Sequence, residues 1–179
     1  DANAASSEFK RAELAIENLE EGSLVLGDRL YCSLELFRQL SERKCFGLFR
    51  RTKSIAIEKV EKLGRHHLAS GGIIEDWLVK AGRGSGAISL RLIRLRSGGK
   101  TYEALTNVLD PKQLSAEDAV ALYPRRWAVE RLFYDLKVVL KLERFYAANP
   151  NAVAMQVFAA AIVHTAFRIA QGNIAKRVR

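Results

Sequence analysis

The feature that most constrains this chain is a change of hydrophobic period part-way along it. Across 51–110, Ile55 and Ile57, then Trp77 and Val79, then Ile88, Leu90 and Leu92 recur at every second position between glycine-rich breaks; from Ser115 to the end the apolar positions recur at helical spacing. Period two turns one side of a strand toward a core, and a period near 3.6 turns one stripe of a helix toward it, so the chain needs both kinds of element. The middle reads as an antiparallel β insertion and the last third as helices. After Leu92 the alternation shifts phase to Ile93 and Leu95, which predicts a bulge with Arg91, Arg94 and Arg96 projecting outward. Arg83-Gly84-Ser85-Gly86 reads as a hairpin loop, not as a phosphate cradle, since no Lys-Ser or Lys-Thr follows it.

Ahead of that middle part, Leu14, Ile16 and Leu19 recur among charged residues over 9–21, a loosely helical pattern that Gly22 stops. Leu24-Val25-Leu26 is a short apolar run between Gly22 and Gly27, as expected of a buried strand. Asp28 follows its carboxyl end, where α/β folds keep their chemistry. Ser33 is placed to cap a helix carrying Leu34, Phe37 and Leu40, and 45–49 reads as the next strand. Toward the end, Ser115 and Asp118 have the spacing of a capping box, Pro124 can open a new helical segment, and a second helix over 151–177 follows the break at Asn149-Pro150. The chain thus divides into 1–50, a β-rich insertion over 51–110, and a helical part over 111–179.

Charge points to a partner. With 29 Lys and Arg against 20 Asp and Glu, the formal net charge is +9. Such a surface attracts a polyanion, because each phosphate it neutralises releases condensed counterions. The hydrophobic fraction of 49% is enough for a globular core. Cys32 and Cys45 have no CxxC spacing and read as buried free thiols. The first residues lack a basic region followed by an apolar run, so they are no secretory signal, and a cytoplasmic protein is expected. The apolar stretch 157–170, broken by His164 and Arg168, reads as a buried helix too short for a bilayer, and no membrane partner is expected. His66-His67 reads as a surface pair in a loop, and His164 as a core or boundary residue.

The chemistry concentrates in Tyr123-Pro124-Arg125-Arg126-Trp127-Ala128-Val129-Glu130-Arg131-Leu132-Phe133-Tyr134-Asp135-Leu136-Lys137. At roughly 100° per residue, Tyr123, Arg126, Glu130 and Lys137 fall within about 60° of one another, beside an apolar stripe of Val129, Leu132, Phe133, Leu136 and Leu140. A solvated helix with an ordinary Arg126–Glu130 pair has the same geometry. The spacing Tyr-x2-Arg-x3-Glu-x6-Lys, however, resembles the signature of the insertion-sequence-four type of transposases, with all four positions matched. The stretch Leu24-Val25-Leu26-Gly27-Asp28-Arg29-Leu30-Tyr31-Cys32-Ser33 is similar to the block in these enzymes that holds the second catalytic Asp. The two blocks stand in the same order as in that family, with β strands between them.

This resemblance implies a DDE-type DNA transposase with a ribonuclease H-like core. In it, carboxylates hold two Mg²⁺ or Mn²⁺ ions about 3.5–4 Å apart for in-line displacement at phosphorus. Asp28 and Glu130 would be the catalytic metal ligands. Arg126 and Lys137 would face phosphates of double-stranded DNA, in transposon terminal repeats or target, and Tyr123 would hydrogen-bond a phosphate beside the cut. Trp127 would stack on a displaced base or sit half-buried. The family's first Asp lies on a strand ahead of a hairpin and helix, for which the residues before Asp28 leave no room. The chain, opening on Asp1 and not Met, is therefore expected to be a fragment that cuts no DNA alone, with a homodimer as the assembly that pairs transposon ends. The alternative is a catalytically dead DNA-binding remnant.

Overall fold

The computed structural model describes residues 14–69, 71–139 and 149–177, in two compact units that meet in sequence between Arg126 and Trp127. The first unit is a six-stranded sheet with helical segments. Its strands are β1 (Leu24–Gly27), β2 (Phe46–Arg50), β3 (Ile57–His67), β4 (Ile73–Ala81), β5 (Ile88–Ser97) and β6 (Lys100–Thr106), in the order β1-β2-β6-β5-β4-β3. β1 and β2 are parallel, joined by α1 (Leu34–Glu42), and every other neighbouring pair is antiparallel. The mixed α/β fold expected from the change of period is present, and it is that of a ribonuclease H-like domain continued by an antiparallel meander.

Local chemistry sets the elements as read from sequence. The Ser33 side chain caps α1 by accepting from the Leu36 N–H at 3.1 Å. Ser115 caps α2 (Ala116–Leu122) by accepting from Asp118 N–H at 2.9 Å, and its hydroxyl donates back to the Asp118 carboxylate. Of the helix expected over 9–21, residues 14–17 are helical, and 9–13 lie outside the described residues.

The inner strands of the sheet are buried on both faces. Leu36, Phe37 and Leu40 of α1 pack with Phe49, Val79, Leu90, Leu92 and Leu105 on one face; Ala116, Ala119 and Tyr123 pack with Leu48, Ile74, Ile93 and Ala104 on the other. Two covered faces explain what the sequence suggested was a bulge. β5 pairs with β4 without interruption from Ile73↔Arg96 to Ala81↔Ile88, so the apolar positions change phase because both faces are packed and no residue is inserted. The bulges lie instead in β3, between Lys59 and Glu61 and between Lys62 and Gly64.

The expectation that Arg91, Arg94 and Arg96 project outward holds for Arg96, which is exposed, and is corrected for Arg91 and Arg94 by the same fact. Arg91 is 0% exposed. Its Nε and Nη2 donate to the two Asp76 carboxylate oxygens at 2.7 and 2.6 Å, and its Nη1 donates to the Leu114 carbonyl at 2.6 Å. Arg94 is mostly buried in a row across β4, β5 and β6, between Glu75 and Glu103, with Arg51 on the far side of Glu103 and Arg96 on Glu75. Burial is the largest influence on the Glu103 carboxyl and raises its pKa; hydrogen bonds and charge from Arg51 and Arg94 together outweigh it and hold the group below the usual carboxylate range. His66 and His67 end strand β3 and are not in a loop, and His66 Nδ1 lies 2.6 Å from Glu117. Cys32 and Cys45 are buried and free, and burial pushes the Cys32 thiol up.

The second unit begins with α3 (Trp127–Tyr134), runs through a π-helical turn (Asp135–Val139), and includes α4 (Pro150–Arg177). The expectation that 157–170 is a buried helix fails, because Phe158, Ile162, Phe167 and Ile169 are all more than half exposed. Length alone does not exclude a bilayer either, since Pro150–Gln171 is long and apolar enough to cross one. His164, however, pairs with Asp135 at 3.1 Å, a polar contact that hydrocarbon disfavours.

Because Arg91 donates to both carboxylate oxygens of Asp76, replacing it with Met should strand a carboxylate that is 2% exposed and cost about 3–5 kcal/mol. The double change Arg91→Met with Asp76→Leu should recover most of that loss in urea titration. Equal destabilisation of single and double variants would contradict the role given to the pair.

Candidate active site

Asp28 stands one residue past the end of β1, half-buried, and its Oδ1 accepts from the Leu30 N–H at 2.8 Å. That turn fixes one carboxylate oxygen by a backbone donor and orients the group beyond the strand end. Gly27, just before it, is required by packing. A Cβ there would stand 2.6 Å from Cδ1 of Phe49, whose ring also crosses Gly47, where a Cβ would meet Cε2 at 2.5 Å. Two glycines on adjacent strands thus let one aromatic ring lie flat beneath the turn that presents Asp28.

Tyr123 reaches the same turn from the other side of the sequence. Its hydroxyl donates to the Gly27 carbonyl at 3.1 Å across 96 residues, and the residue is 8% exposed. Its ring leans on Tyr102, centroids 5.0 Å apart, and the Arg126 guanidinium lies 6.0 Å from the Tyr123 ring centre, with Arg50 at 5.6 Å over Tyr102. Burial first, and then the adjacent Tyr123 hydroxyl, raise the Tyr102 pKa far above the usual phenol range, so it stays neutral. A phenol has one proton, and in this structure Tyr123 gives it to Gly27; a phosphate contact would require that proton to be redirected. Sequence reasoning missed this cluster because Tyr102 and Arg50 carry no spacing signal and the Gly27 carbonyl is invisible in a motif.

The single helical face drawn for Tyr123, Arg126, Glu130 and Lys137 is corrected. Tyr123–Arg126 form a 3-10 turn, Trp127–Tyr134 an α-helix, and Asp135–Val139 a π turn, so a constant 100° step does not run through them. Tyr123 and Arg126 belong to the first unit, where Tyr123 meets the end of β1; Trp127, Glu130 and Lys137 belong to the second. Trp127 is 57% exposed, and Glu130 and Lys137 are exposed. The apolar stripe beside them is also open, with Val129 and Phe133 exposed, while Leu140 lies outside the described residues. Among the described residues no three His, Cys, Asp or Glu side chains cluster as a metal site. Asp28 and Glu130 nonetheless supply the anionic oxygen donors that a hard divalent cation takes.

Residues 2–166 match the family model described as the transposase DDE domain. The chain belongs to the DDE transposase family. The transposase domain is 33% identical over 159 residues to a protein of Sinorhizobium fredii named as a transposase, y4zB, covering 85% of this chain and 44% of that protein. It is 25% identical over 159 residues to a Synechocystis protein named for the transposase of insertion sequence element IS4SA, covering 86% and 43%. A Geobacillus stearothermophilus protein named for the transposase of insertion sequence element IS5377 is 26% identical over 148 residues, covering 81% and 38%. The chain spans less than half the length of each of these relatives.

The Tyr123 hydroxyl positions the Asp28 turn, so Tyr123→Phe should leave a buried carbonyl unsatisfied and lower stability by about 1–3 kcal/mol. Chemical denaturation checks this, and an unchanged midpoint would contradict the assigned contact.

Proposed function

We propose that the transposase domain contributes two of three carboxylates to a phosphoryl-transfer site that cleaves transposon ends and joins them to target DNA. The observation supporting this most directly is the Tyr123–Gly27 hydrogen bond, which ties the start of the Tyr-Arg-Glu-Lys segment to the turn carrying Asp28.

In this reading Asp28 and Glu130 hold Mg²⁺ or Mn²⁺. A bound pair of such ions stabilises charge on both the attacking and leaving oxygens of an in-line displacement. Leu30 N–H keeps the Asp28 carboxylate turned outward, and Tyr123 fixes the turn from beneath. Arg126 and Lys137 neutralise backbone phosphates, and exposed Trp127 offers a ring on which an unstacked base can lie. Water attacks phosphorus, the P–O3′ bond breaks, and the departing 3′ oxygen takes up a proton; the 3′ hydroxyl then attacks a second phosphodiester and displaces another 3′ hydroxyl. That second phosphodiester lies on the opposite strand, giving a hairpin, or on target DNA. The reaction takes place in the bacterial cytoplasm, with paired ends held by two copies.

The third carboxylate comes from outside the described residues. Among the described residues β1 is an edge of the sheet, paired on one side with β2. A further strand added against its other side would end level with Asp28, because parallel neighbours bring their carboxyl ends to one rim.

The chain with Mg²⁺ and a terminal-repeat duplex should leave the DNA uncut, yet bind Mn²⁺ with an affinity that Asp28→Ala or Glu130→Ala each lowers about tenfold or more. Cleavage that Asp28→Ala abolishes would show that the chain holds all its ligands. Mn²⁺ affinity indifferent to both changes, with salt-sensitive DNA binding intact, would instead favour the DNA-binding remnant.

A further inference from the structure

The two bulges in β3 sort its charges. Lys59, Lys62 and Arg65 stand opposite Val79, Trp77 and Glu75, successive same-side positions of β4, whereas Glu58 and Glu61 stand opposite Lys80 and Leu78 on the other side. A regular strand would scatter a three-residue repeat over both faces; skipping Val60 and Leu63 aligns all three cations. The result is visible at Trp77, where the Lys59 and Lys62 ammonium groups lie 4.1 and 5.6 Å from the ring centre. All three cations are exposed, and β3 is the outer edge of the sheet, with no strand beyond it among the described residues. The acid nearest in register to Arg65, Glu75, is already held by Arg94 and Arg96.

We propose that this edge is a phosphate rail, a row of three cations that grips the backbone of double-stranded DNA without reading its sequence. The row repeats about every 7 Å, two residues of the partner strand, on the scale of one phosphate-to-phosphate step of a nucleic-acid strand. Packing of Lys59 and Lys62 on the indole holds their ammonium groups in place, so less rotamer freedom is lost on binding. An edge strand also carries lysines to prevent pairing with other sheets. That purpose is served by charge of either sign on either face and does not require the acids to be turned away. The rail rests on the reading of this domain as acting on DNA, and uses residues outside the Asp28 and Glu130 site.

The test is binding of a labelled duplex by this chain across a salt series. Combined Lys59→Gln, Lys62→Gln and Arg65→Gln should reduce the slope of log affinity against log salt by about 2 to 3, and weaken binding at 100 mM salt about tenfold or more. The charge-preserving set Lys59→Arg, Lys62→Arg and Arg65→Lys should retain the slope, as should Glu58→Gln with Glu61→Gln. If the wild type binds and the neutral triple variant binds with the same slope, the rail is refuted and the catalytic reading stands; self-association of that variant with an unchanged slope assigns the lysines to edge protection alone. Failure of the wild type to bind any duplex down to 50 mM salt would refute both.

Discussion

A guanidinium sealed inside a sheet is the constraint on which the first unit depends. Arg91 lies in the centre of β5 and satisfies both oxygens of Asp76 on β4, so neither charge is left unpaired in a medium that penalises isolated ions severely. Its remaining contact, to the Leu114 carbonyl, reaches the residue just before the Ser115 cap. The start of α2 is thereby fixed over one face of the sheet, and α2 runs directly into Tyr123, whose hydroxyl closes on Gly27. A buried ion pair in the meander thus sets the placement of a side chain beside Asp28, although Arg91 touches no part of the site.

Much of this architecture was legible from residues. The glycine-bounded Leu24-Val25-Leu26 strand, the Ser33 and Ser115 caps and the break at Pro150 are local signals, decided by hydrogen bonds between near neighbours in sequence, and each is where its residues place it. What failed was inference about faces. A strand packed on both sides loses its polar alternation, so Arg91 looked like a surface residue when its partner, fifteen positions away, was not visible. The bulges escaped notice for a related reason, because β3 is polar on both faces and its pattern contains no phase to read. Histidines at the end of that strand looked like loop residues on the same grounds.

The candidate site was legible as a motif and opaque as geometry. Spacing singled out Tyr123, Arg126, Glu130 and Lys137, a strand end singled out Asp28, and Trp127 lay on the flank of the same face, but a wheel of constant pitch could not anticipate that the segment passes from a 3-10 turn through an α-helix to a π turn. Nor could it show that Tyr123 spends its proton on a backbone carbonyl, or that Tyr102 and Arg50 complete an aromatic and cationic cluster beneath Arg126. These are tertiary contacts between segments distant in the chain. Hydrophobicity misled in the last helix, whose apolar side chains are exposed where burial was expected.

The proposal that the acid after β1 and the acid on α3 serve one cation has a direct test. Iron(II) substituted for magnesium, with ascorbate and peroxide, generates hydroxyl radicals that cut the polypeptide near the bound ion. The account predicts two cuts, one around residue 28 and one around residue 130, both lost when either carboxylate is changed to alanine. Cutting at a single position, or a cut at 28 that survives Glu130→Ala, would contradict it.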